Sequence, residues 1–262
     1  MSRIISFANQ KGGVGKTTTC VNMSTFMALM GKKVLLIDLD PQGNATSNLG
    51  FSKEGKYNSV YQLMSEGRPA KDAIYETKVK NLSIIPSNID LAGVEVELVY
   101  MNKREFVIKG IFEQIKNNYD YITIDCPPSL GLLTINAFTA SDAVIIPIQC
   151  EFFALEGLSQ LMNTIRLVKK RNLNPDITID GVVLTMRDSR SNLGKQVAEE
   201  INNFFADAVF KTTIPRNVRL AESPSYGEPI YLYDKSCVGS KAYKALTEEY
   251  FEKNNVNYVK IN

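Results

Sequence analysis

The segment NQKGGVGKTTT, residues 9–19, lies between a short apolar run and a longer amphipathic one. It is close to the phosphate-binding loop pattern G-x-x-x-x-G-K-(S/T), whose last three residues are present as GKT at 15–17. Gln10 stands where the first glycine of that pattern would be, and Lys11 adds a second lysine beside it. The segment therefore predicts a strand, a phosphate-binding turn and a helix, as in P-loop nucleotide-binding folds.

Apolar, β-branched runs alternate with amphipathic runs along the 262-residue chain. This alternation predicts one domain, residues 1–262, with a doubly wound, mostly parallel sheet flanked by helices on both faces. The predicted strands are IISFA (4–8), KVLLID (33–38), LSIIP (82–86), YITID (121–125), AVIIPI (143–148), IDGVVLT (179–185) and FKTTIP (210–215). The predicted helices cover 17–30, 103–117, 154–171, 192–205 and 239–253. The polar segment 44–80 is expected to form short helices and loops.

The composition restricts the kinds of function that the chain can have. Hydrophobic residues make up 44% and charged residues 22%, and the net charge is +2, as in an ordinary globular protein. No run approaches the ~18 apolar residues of a membrane span, and the N-terminal run is too short for a signal peptide, so we expect a cytoplasmic protein. The chain has no histidine, so its chemistry must use carboxylates, lysines, arginines, hydroxyls and a metal held by oxygen.

The glycines of the loop allow backbone N–H groups to surround phosphate oxygens, and the positive end of the following helix adds to the field. Lys16 is expected to reach the β- and γ-phosphates, and the Thr17 hydroxyl is expected to bind Mg²⁺. Nucleotide contacts are predicted for Lys11, Gly12, Gly13, Val14, Gly15, Lys16, Thr17 and Thr18. A glycine-rich turn with two solvated lysines is the alternative, and the strand–loop–helix context argues against it.

Three aspartates follow predicted strands. Asp38 ends one strand, Asp40 lies two residues later, and Asp125 ends another strand. Ligands of open α/β sheets lie beyond the carboxyl ends of the strands, and an aspartate at the Walker-B position holds Mg²⁺ directly or through water. Each aspartate alone could be a cap or turn residue, but the three together with a phosphate loop favour a magnesium–nucleotide site.

Six motifs together resemble the ParA/Soj branch of the deviant Walker-A ATPases. They are KGGVGKTT (11–18), DLDPQGNAT (38–46), DCPPSLG (125–131), EFFALEGLSQL (151–161), LTMRDSRSNLG (184–194) and TTIPRNVRLAESPSYGEPI (212–230). The first motif alone marks only the wider group, which includes MinD-like and nitrogenase-iron-protein-like members. The later motifs select the chromosome and plasmid partition branch.

The resemblance implies an ATPase that uses ATP and Mg²⁺ and whose two subunits sandwich two nucleotides. Lys11 would be the signature lysine, which reaches the phosphates of the partner subunit much as an arginine finger does. Asp40 would orient or activate the attacking water, so the implied catalytic residues are Lys11, Lys16 and Asp40. The segments 38–46 and 125–131 would be the switches that sense the γ-phosphate.

The resemblance also assigns residues around the metal and the base. Metal support would come from Thr17, Asp38, Asp40 and Asp125. Glu151 would lie near the nucleotide or the dimer interface. The adenine pocket would be lined by Met186, Pro215 and Asn217.

A further implication of the resemblance is non-specific binding of double-stranded DNA on a surface that the dimer creates. Arg190 and Arg219 match the DNA-contacting arginines of the family. The additional candidates are Lys195, Lys211, Arg216 and Lys241. Contacts of this kind with DNA phosphates give salt-dependent, sequence-independent affinity. For each residue, an ordinary solvated charge is the alternative.

The implied function is a nucleoid-associated partition ATPase, released from DNA when a ParB/Spo0J-type partner stimulates hydrolysis. A MinD-like membrane-cycling ATPase is one alternative, but acidic residues interrupt the basic face of 239–262 and no stable membrane anchor is expected. An electron-transfer ATPase would need cluster-binding cysteines, and Cys126 and Cys150 lack the flanking glycine pattern. A nucleotide-switch regulator that contacts the replication initiator stays open.

Overall fold

The computed structural model describes residues 2–151, 154–188 and 191–261. Within these residues a seven-stranded sheet has the order β3-β4-β2-β5-β1-β6-β7. The strands are β1 Arg3–Phe7, β2 Val34–Asp38, β3 Tyr75–Glu76, β4 Leu82–Ile85, β5 Tyr121–Asp125, β6 Ala143–Gln149 and β7 Thr178–Thr185. All neighbouring strands pair in parallel except β3, which is an antiparallel edge strand beside β4.

Helices cover both faces of the sheet. They are α1 Lys16–Leu29, α2 Asn44–Asn48, α3 Val60–Ser65, α4 Leu91–Leu98, α5 Val107–Glu113, α6 Leu132–Ala140, α7 Ala154–Lys170, α8 Asn192–Phe205, α9 Val218–Glu222, α10 Ile230–Asp234 and α11 Val238–Lys253. One hydrophobic cluster packs α3 to α8 against the sheet, and a second packs α1, α10 and α11 against its other face. The predicted doubly wound α/β fold is confirmed.

The strand register brings the predicted site residues to one edge of the sheet. β2 pairs with β5 so that Asp38 lies opposite Asp125, and β1 pairs with β5 so that Phe7 also lies opposite Asp125. The segments that follow β1, β2 and β5 therefore start side by side. Since all three strands are parallel, their carboxyl ends define the nucleotide edge that the sequence predicts.

The predicted strand 210–215 is wrong. This segment runs beside β7 but has only isolated bridges there, Val182 to Val209 and Arg187 to Pro215. Between them, the amides of Lys211 and Thr212 donate to the Glu249 carboxylate at 2.7 and 2.8 Å. The amides of Phe210 and Ile214 do donate to carbonyl oxygens of β7, at 3.0 and 2.9 Å, so the Glu249 side chain of α11 interrupts the pairing between them.

Other elements differ from the predictions because their sequence signal is short. β3, α4 and α6 were not among the predicted elements, and the helix predicted over 103–117 begins with a 3₁₀ turn at 104–106 before α5. The polar segment 44–80 contains the short helices α2 and α3, as predicted.

Two glycines bring the end of α2 against the segment that follows α9. Gly50 and Gly227 have φ angles of +85° and +63°, in the left-handed region that favours glycine. A Cβ on Gly227 would lie 3.0 Å from the Cα of Gly50, and a Cβ on Gly50 would lie 3.1 Å from the carbonyl oxygen of Gly227. The two backbones therefore pack directly against each other.

We predict unequal effects for two alanine substitutions on α7. Leu161 is 0% exposed in the core, so Leu161→Ala should lower the free energy of unfolding by about 2–5 kcal/mol, through lost burial and a cavity. Leu167 is 41% exposed on the same helix, so Leu167→Ala should change it by less than about 0.5 kcal/mol. Urea unfolding of both variants measures the difference, and equal losses would contradict the described packing of α7.

Candidate nucleotide and magnesium site

The turn between β1 and α1 is open toward solvent and poor in side chains. Gly13 and Gly15 have φ angles of +74° and +84°. A Cβ on Gly12 or Gly13 would meet no atom within 4 Å. Gly15 is the N-cap of α1 and has no side chain to satisfy the first N–H groups of that helix. These groups remain available to an anion, as phosphate binding requires.

Two side chains outside the loop motif hold the turn in place. The Thr185 hydroxyl, at the end of β7, donates to the Val14 carbonyl oxygen at 2.8 Å. The Asn9 side chain accepts from the Lys11 amide at 3.0 Å and donates to the Pro147 carbonyl oxygen in β6 at 2.8 Å. These bonds fix the loop to β6 and β7. Neither residue is among the predicted site residues, although both lie at the ends of predicted strands.

Lys16 lies inside the loop. Its Nζ donates to the Lys11 carbonyl oxygen at 3.2 Å, and the residue is buried. Burial lowers the pKa of Lys16, while the nearby carboxylates of Asp125 and Asp40 raise it. The ammonium group is thus placed inside the loop, where phosphates would replace its backbone partner.

Asp125 is fully buried, and neither of its carboxylate oxygens has a hydrogen-bond partner among the described residues. Burial raises the pKa of Asp125 well above its usual range and repulsion from Asp38 adds to this, whereas the Thr17 hydroxyl and Lys16 oppose the shift. The ionised form of a carboxylate buried in this way is unfavourable, and a nearby cation would stabilise it. Hydrated Mg²⁺, bound through few protein oxygens and nucleotide phosphates, fits this set of groups.

Asp38 uses its oxygens on the segment that follows β2. Its Oδ2 accepts from the Thr46 amide and the Thr46 hydroxyl, both at 2.7 Å, and its Oδ1 accepts from the Asp40 amide at 3.2 Å. Burial raises the pKa of Asp38 to about 6, although the bonds from Thr46 lower it. Asp38 therefore shapes the 38–46 segment, and its support of the metal stays a prediction.

Asp40 lies at the same edge and lines the cavity above the loop. It is buried, and its Oδ1 accepts from the Gln42 amide at 2.9 Å. A carboxylate held by the backbone of its own loop moves with that loop. This geometry suits a group that responds to the nucleotide.

Lys11 does not point into its own loop. Its Nζ lies 2.6 Å from Glu151 Oε2, and Glu151 Oε1 accepts from the side-chain Nε2 of Gln149 at 2.5 Å. Both side chains of the ion pair are partly exposed, so the pair is only weakly stabilising in water. The structure thus brings Glu151 to the mouth of the site through Lys11.

A cavity of about 520 Å³ connects the loop to a largely apolar recess. Met186, Pro215 and Asn217 line this recess, as predicted for the adenine pocket, and their role there stays a prediction. The sequence analysis missed further lining residues, Ile214, Leu220, Pro224 and Tyr243. The volume lies in the range of small-molecule sites, about 300–1,000 Å³. Met186 has a φ of +47°. Residues other than glycine rarely adopt such angles, and those that do cluster at functional sites.

The candidate DNA residues do not form one cluster of free charges. Arg219 is paired with Glu222 at 3.0 Å and Asp234 at 3.7 Å, and its guanidinium lies 6.0 Å from the Tyr233 ring centre. Exposed side chains are also found at Lys195, Lys211, Arg216 and Lys241. Arg216 lines the nucleotide cavity as well. Arg190 lies outside the described residues.

The cysteines bear on the electron-transfer alternative, and the apolar length of the helices bears on the membrane-cycling alternative. Cys20 and Cys126 are buried, whereas Cys150 and Cys237 are partly exposed. Across the described ranges, we find no helix that is long and apolar enough to cross a membrane.

Comparison with known proteins adds independent findings. A family model described as an AAA domain matches residues 2–179. The sporulation initiation inhibitor protein Soj of Bacillus subtilis is 57% identical over 249 residues, with 95% of this chain and 98% of the relative covered. The chromosome partitioning protein ParA of Myxococcus xanthus is 49% identical over 249 residues, with 95% and 88% covered.

Cobyrinic acid a,c-diamide synthase from Mycobacterium smegmatis, solved with bound ADP and magnesium, has a similar structure. It aligns with a TM-score of 0.84 at 32% identity, over 100% of both chains. The likeness in sequence and in structure extends well beyond the phosphate loop.

We predict that Asp38 destabilises the nucleotide-free, magnesium-free protein as it ionises. Its pKa is about 6 in the fold against 3.8 unperturbed, so wild type should lose stability relative to Asp38→Asn as pH rises from about 4 to about 6. Two pKa units correspond to at most about 3 kcal/mol. Urea unfolding across this range gives the difference curve. Asp176→Asn, which removes an exposed carboxylate, is the control, and a flat or opposite difference curve for Asp38→Asn would contradict the described burial.

Proposed function

The chain belongs to the ParA/Soj family of chromosome-partitioning ATPases, and on this premise we propose that it is an ATP-driven switch that cycles on and off DNA. In this cycle ATP binding produces a sandwich dimer, the dimer binds nucleoid DNA without sequence preference, and hydrolysis releases it. The observation that carries the proposal is the division of two lysines at one loop. Lys16 lies within the loop, whereas Lys11 points out of it toward Glu151.

We propose ATP and Mg²⁺ as the cofactors. The relative solved with ADP and magnesium supports this choice, as does the buried, unpartnered carboxylate of Asp125 described above. Thr17 and Asp125 would hold the metal, with Asp38 and Asp40 supporting it. When bound, Mg²⁺ supplies positive charge that offsets the charge developing on the β- and γ-phosphates.

The chain's own residues then supply orientation and charge for hydrolysis. Lys16 would exchange its bond with the Lys11 carbonyl oxygen for bonds to phosphate oxygens. Asp40 would orient the attacking water and hold its proton, because it is a buried carboxylate carried by a loop at the phosphate edge. Basal hydrolysis is proposed to be weak, since the lysine that completes the charge comes from the other subunit.

Lys11 is proposed to act in the dimer on the phosphates of the partner subunit. Its ion pair with Glu151 holds it at the mouth of the site, and a partly exposed pair of this kind costs little to break. When Lys11 exchanges the Glu151 carboxylate for the phosphates of ATP bound in the other subunit, ATP binding would be coupled to dimer formation.

DNA binding is proposed for Arg190 and Arg219, with Lys195, Lys211, Arg216 and Lys241 as additional candidates. Arg219 must exchange its acidic partners Glu222 and Asp234 for phosphates, which favours binding only where many phosphate contacts form together. A dimer doubles those contacts. A ParB/Spo0J-type protein is the proposed stimulator of hydrolysis, and the replication initiator is a second proposed partner.

We predict that three substitutions separate the steps of the cycle. Lys16→Ala should abolish nucleotide binding, and Lys11→Ala should bind nucleotide but stay monomeric, with hydrolysis at least about tenfold slower. Asp40→Ala should form an ATP dimer that persists. Light scattering after size exclusion with ATP, ADP and no nucleotide measures these states, and Lys170→Ala, at an exposed residue at the carboxyl end of α7, is the control. A Lys11→Ala monomer that hydrolyses ATP at the wild-type rate would refute the trans role.

We predict that charge reversal at the two arginines reduces ATP-dependent DNA binding. Arg190→Glu and Arg219→Glu should each weaken DNA retention at least about tenfold and lower its salt dependence, because phosphate contacts are lost. Gel shifts at several salt concentrations measure both effects. Lys80→Glu makes the same charge change just before the amino end of β4, away from the nucleotide edge of the sheet. An equal effect of Lys80→Glu would contradict a localised DNA-binding surface.

A further inference from the structure

Helix α4 is apolar on both of its faces. Its side chains Leu91, Val94 and Leu98 are fully buried, on the side that packs against α3 and α6. Its other side carries Val96, which is 66% exposed, and the turns that flank the helix carry three more exposed apolar side chains, Ile89 at 66%, Val99 at 52% and Tyr100 at 86%. We name these four residues the α4 stripe.

Asp90 and Val99, which flank α4, have right-handed helical backbone angles, so the helical repeat extends into both turns and places the α4 stripe on one side. Val96 follows Ile89 by seven residues, and Val99 and Tyr100 follow by three and four more, which is the repeat of a single helical face. Ala92 and Gly93 are exposed between them and add no charge. A solvent-facing helix side is normally polar, and a contiguous apolar patch of this kind marks an interaction site.

The segment that leads into α4 rests on the 38–46 switch. The Thr46 hydroxyl accepts from the Ser87 amide at 2.8 Å while it donates to Asp38 Oδ2 at 2.7 Å. On the same segment, the Ser87 carbonyl oxygen lies so near Gly43 that a Cβ there would be 3.2 Å away. A movement of this switch would therefore displace the start of α4.

The middle of α4 contacts the 125–131 switch. Glu95 Oε1 accepts from the Leu133 amide at 3.3 Å, at the start of α6. The same oxygen lies 2.3 Å from the position of a Cβ on Gly131, the last residue of the switch. The 125–131 segment thus contacts the helix that carries the stripe, and the 38–46 segment contacts the chain that leads into it.

We propose that the α4 stripe is the docking surface for an amphipathic, positively charged helix of the ParB/Spo0J-type partner. This inference rests on the proposed function and specifies where that partner binds. A partner bound to the stripe would restrain both switches at once. It would therefore stimulate hydrolysis without contacting the phosphates.

Charge and size favour this occupant. Residues 88–105 contain four carboxylates, Asp90, Glu95, Glu97 and Glu105, and two cations, Lys103 and Arg104, so the region is net negative and its complementary surface is basic. Arg104 lies at the end of the stripe, where its Nη1 donates to the Val99 carbonyl oxygen at 3.3 Å, and it pairs with Glu105 at 3.2 Å. Four side chains of this kind expose a few hundred Å², whereas a stable interface between two copies buries about 800 Å² on each. A stripe of about three helical turns matches a helical ligand of similar length.

The test measures ATP hydrolysis with DNA while the ParB-type protein of the same organism is titrated in. Val96→Asp places a charge within the stripe, and Asp90→Lys reverses a charge beside it. We expect Val96→Asp to raise the partner concentration for half-maximal stimulation at least about tenfold, and Asp90→Lys to raise it several-fold. Basal hydrolysis, the ATP dimer and the melting temperature should stay as in wild type. Val259→Asp, at a residue 62% exposed in the C-terminal segment, should be stimulated normally.

Hydrogen exchange provides a second measurement, in which the partner should protect the amides of 88–101 in the wild-type ATP dimer. Stimulation of Val96→Asp at wild-type partner concentrations, or no protection of 88–101, would overturn this inference alone. Loss of the ATP dimer in Val96→Asp would assign the stripe to contact between two copies and would also overturn it. A wild-type protein that neither dimerises with ATP nor responds to the partner would overturn the proposed function, and this inference with it.

Discussion

At the carboxyl edge of the sheet, three buried carboxylates face one buried ammonium group. Asp38, Asp40 and Asp125 supply the negative charge, and among the described residues Lys16 is the buried lysine beside them. Such an excess of like charge in a poorly solvated site is unfavourable without a cation. The adjacent loop offers N–H groups and a helix N-terminus, which attract an anion. A metal and a polyphosphate together satisfy both demands, which neither ligand satisfies alone.

The same charges connect the site to the rest of the molecule. Asp38 holds Thr46, Thr46 contacts the segment before α4, and α4 contacts the second switch through Glu95. In the proposed function, these hydrogen bonds of 2.7 to 3.3 Å would link the charge balance at the sheet edge to the helix that carries the proposed docking surface.

The sequence predicted the sheet and the phosphate edge because apolar strands and glycine-rich turns are local signals. Asp38 and Asp125 meet as expected, since parallel strands end at one edge. Contacts between distant residues left no local signal. The Thr185 hydroxyl donates to the carbonyl oxygen of Val14, which lies 171 residues away in the chain. Glu249 accepts from the amides of Lys211 and Thr212, within the segment predicted as a strand. The motifs located Arg219, but only the folded chain shows that acidic partners already hold it.

The contact between Gly50 and Gly227 has a consequence for how this sequence can vary. Each glycine occupies the space that a side chain on the other would need, at about 3 Å. A first substitution at either position must therefore move a backbone, and the move changes what a second substitution at the other position costs. The two sites are epistatic although they lie far apart in the chain. Gly50 follows α2, which begins within the proposed 38–46 switch, and Gly227 follows the segment of Arg219, a proposed DNA-binding residue. Sequence change in both proposed regions is therefore constrained by one shared backbone contact.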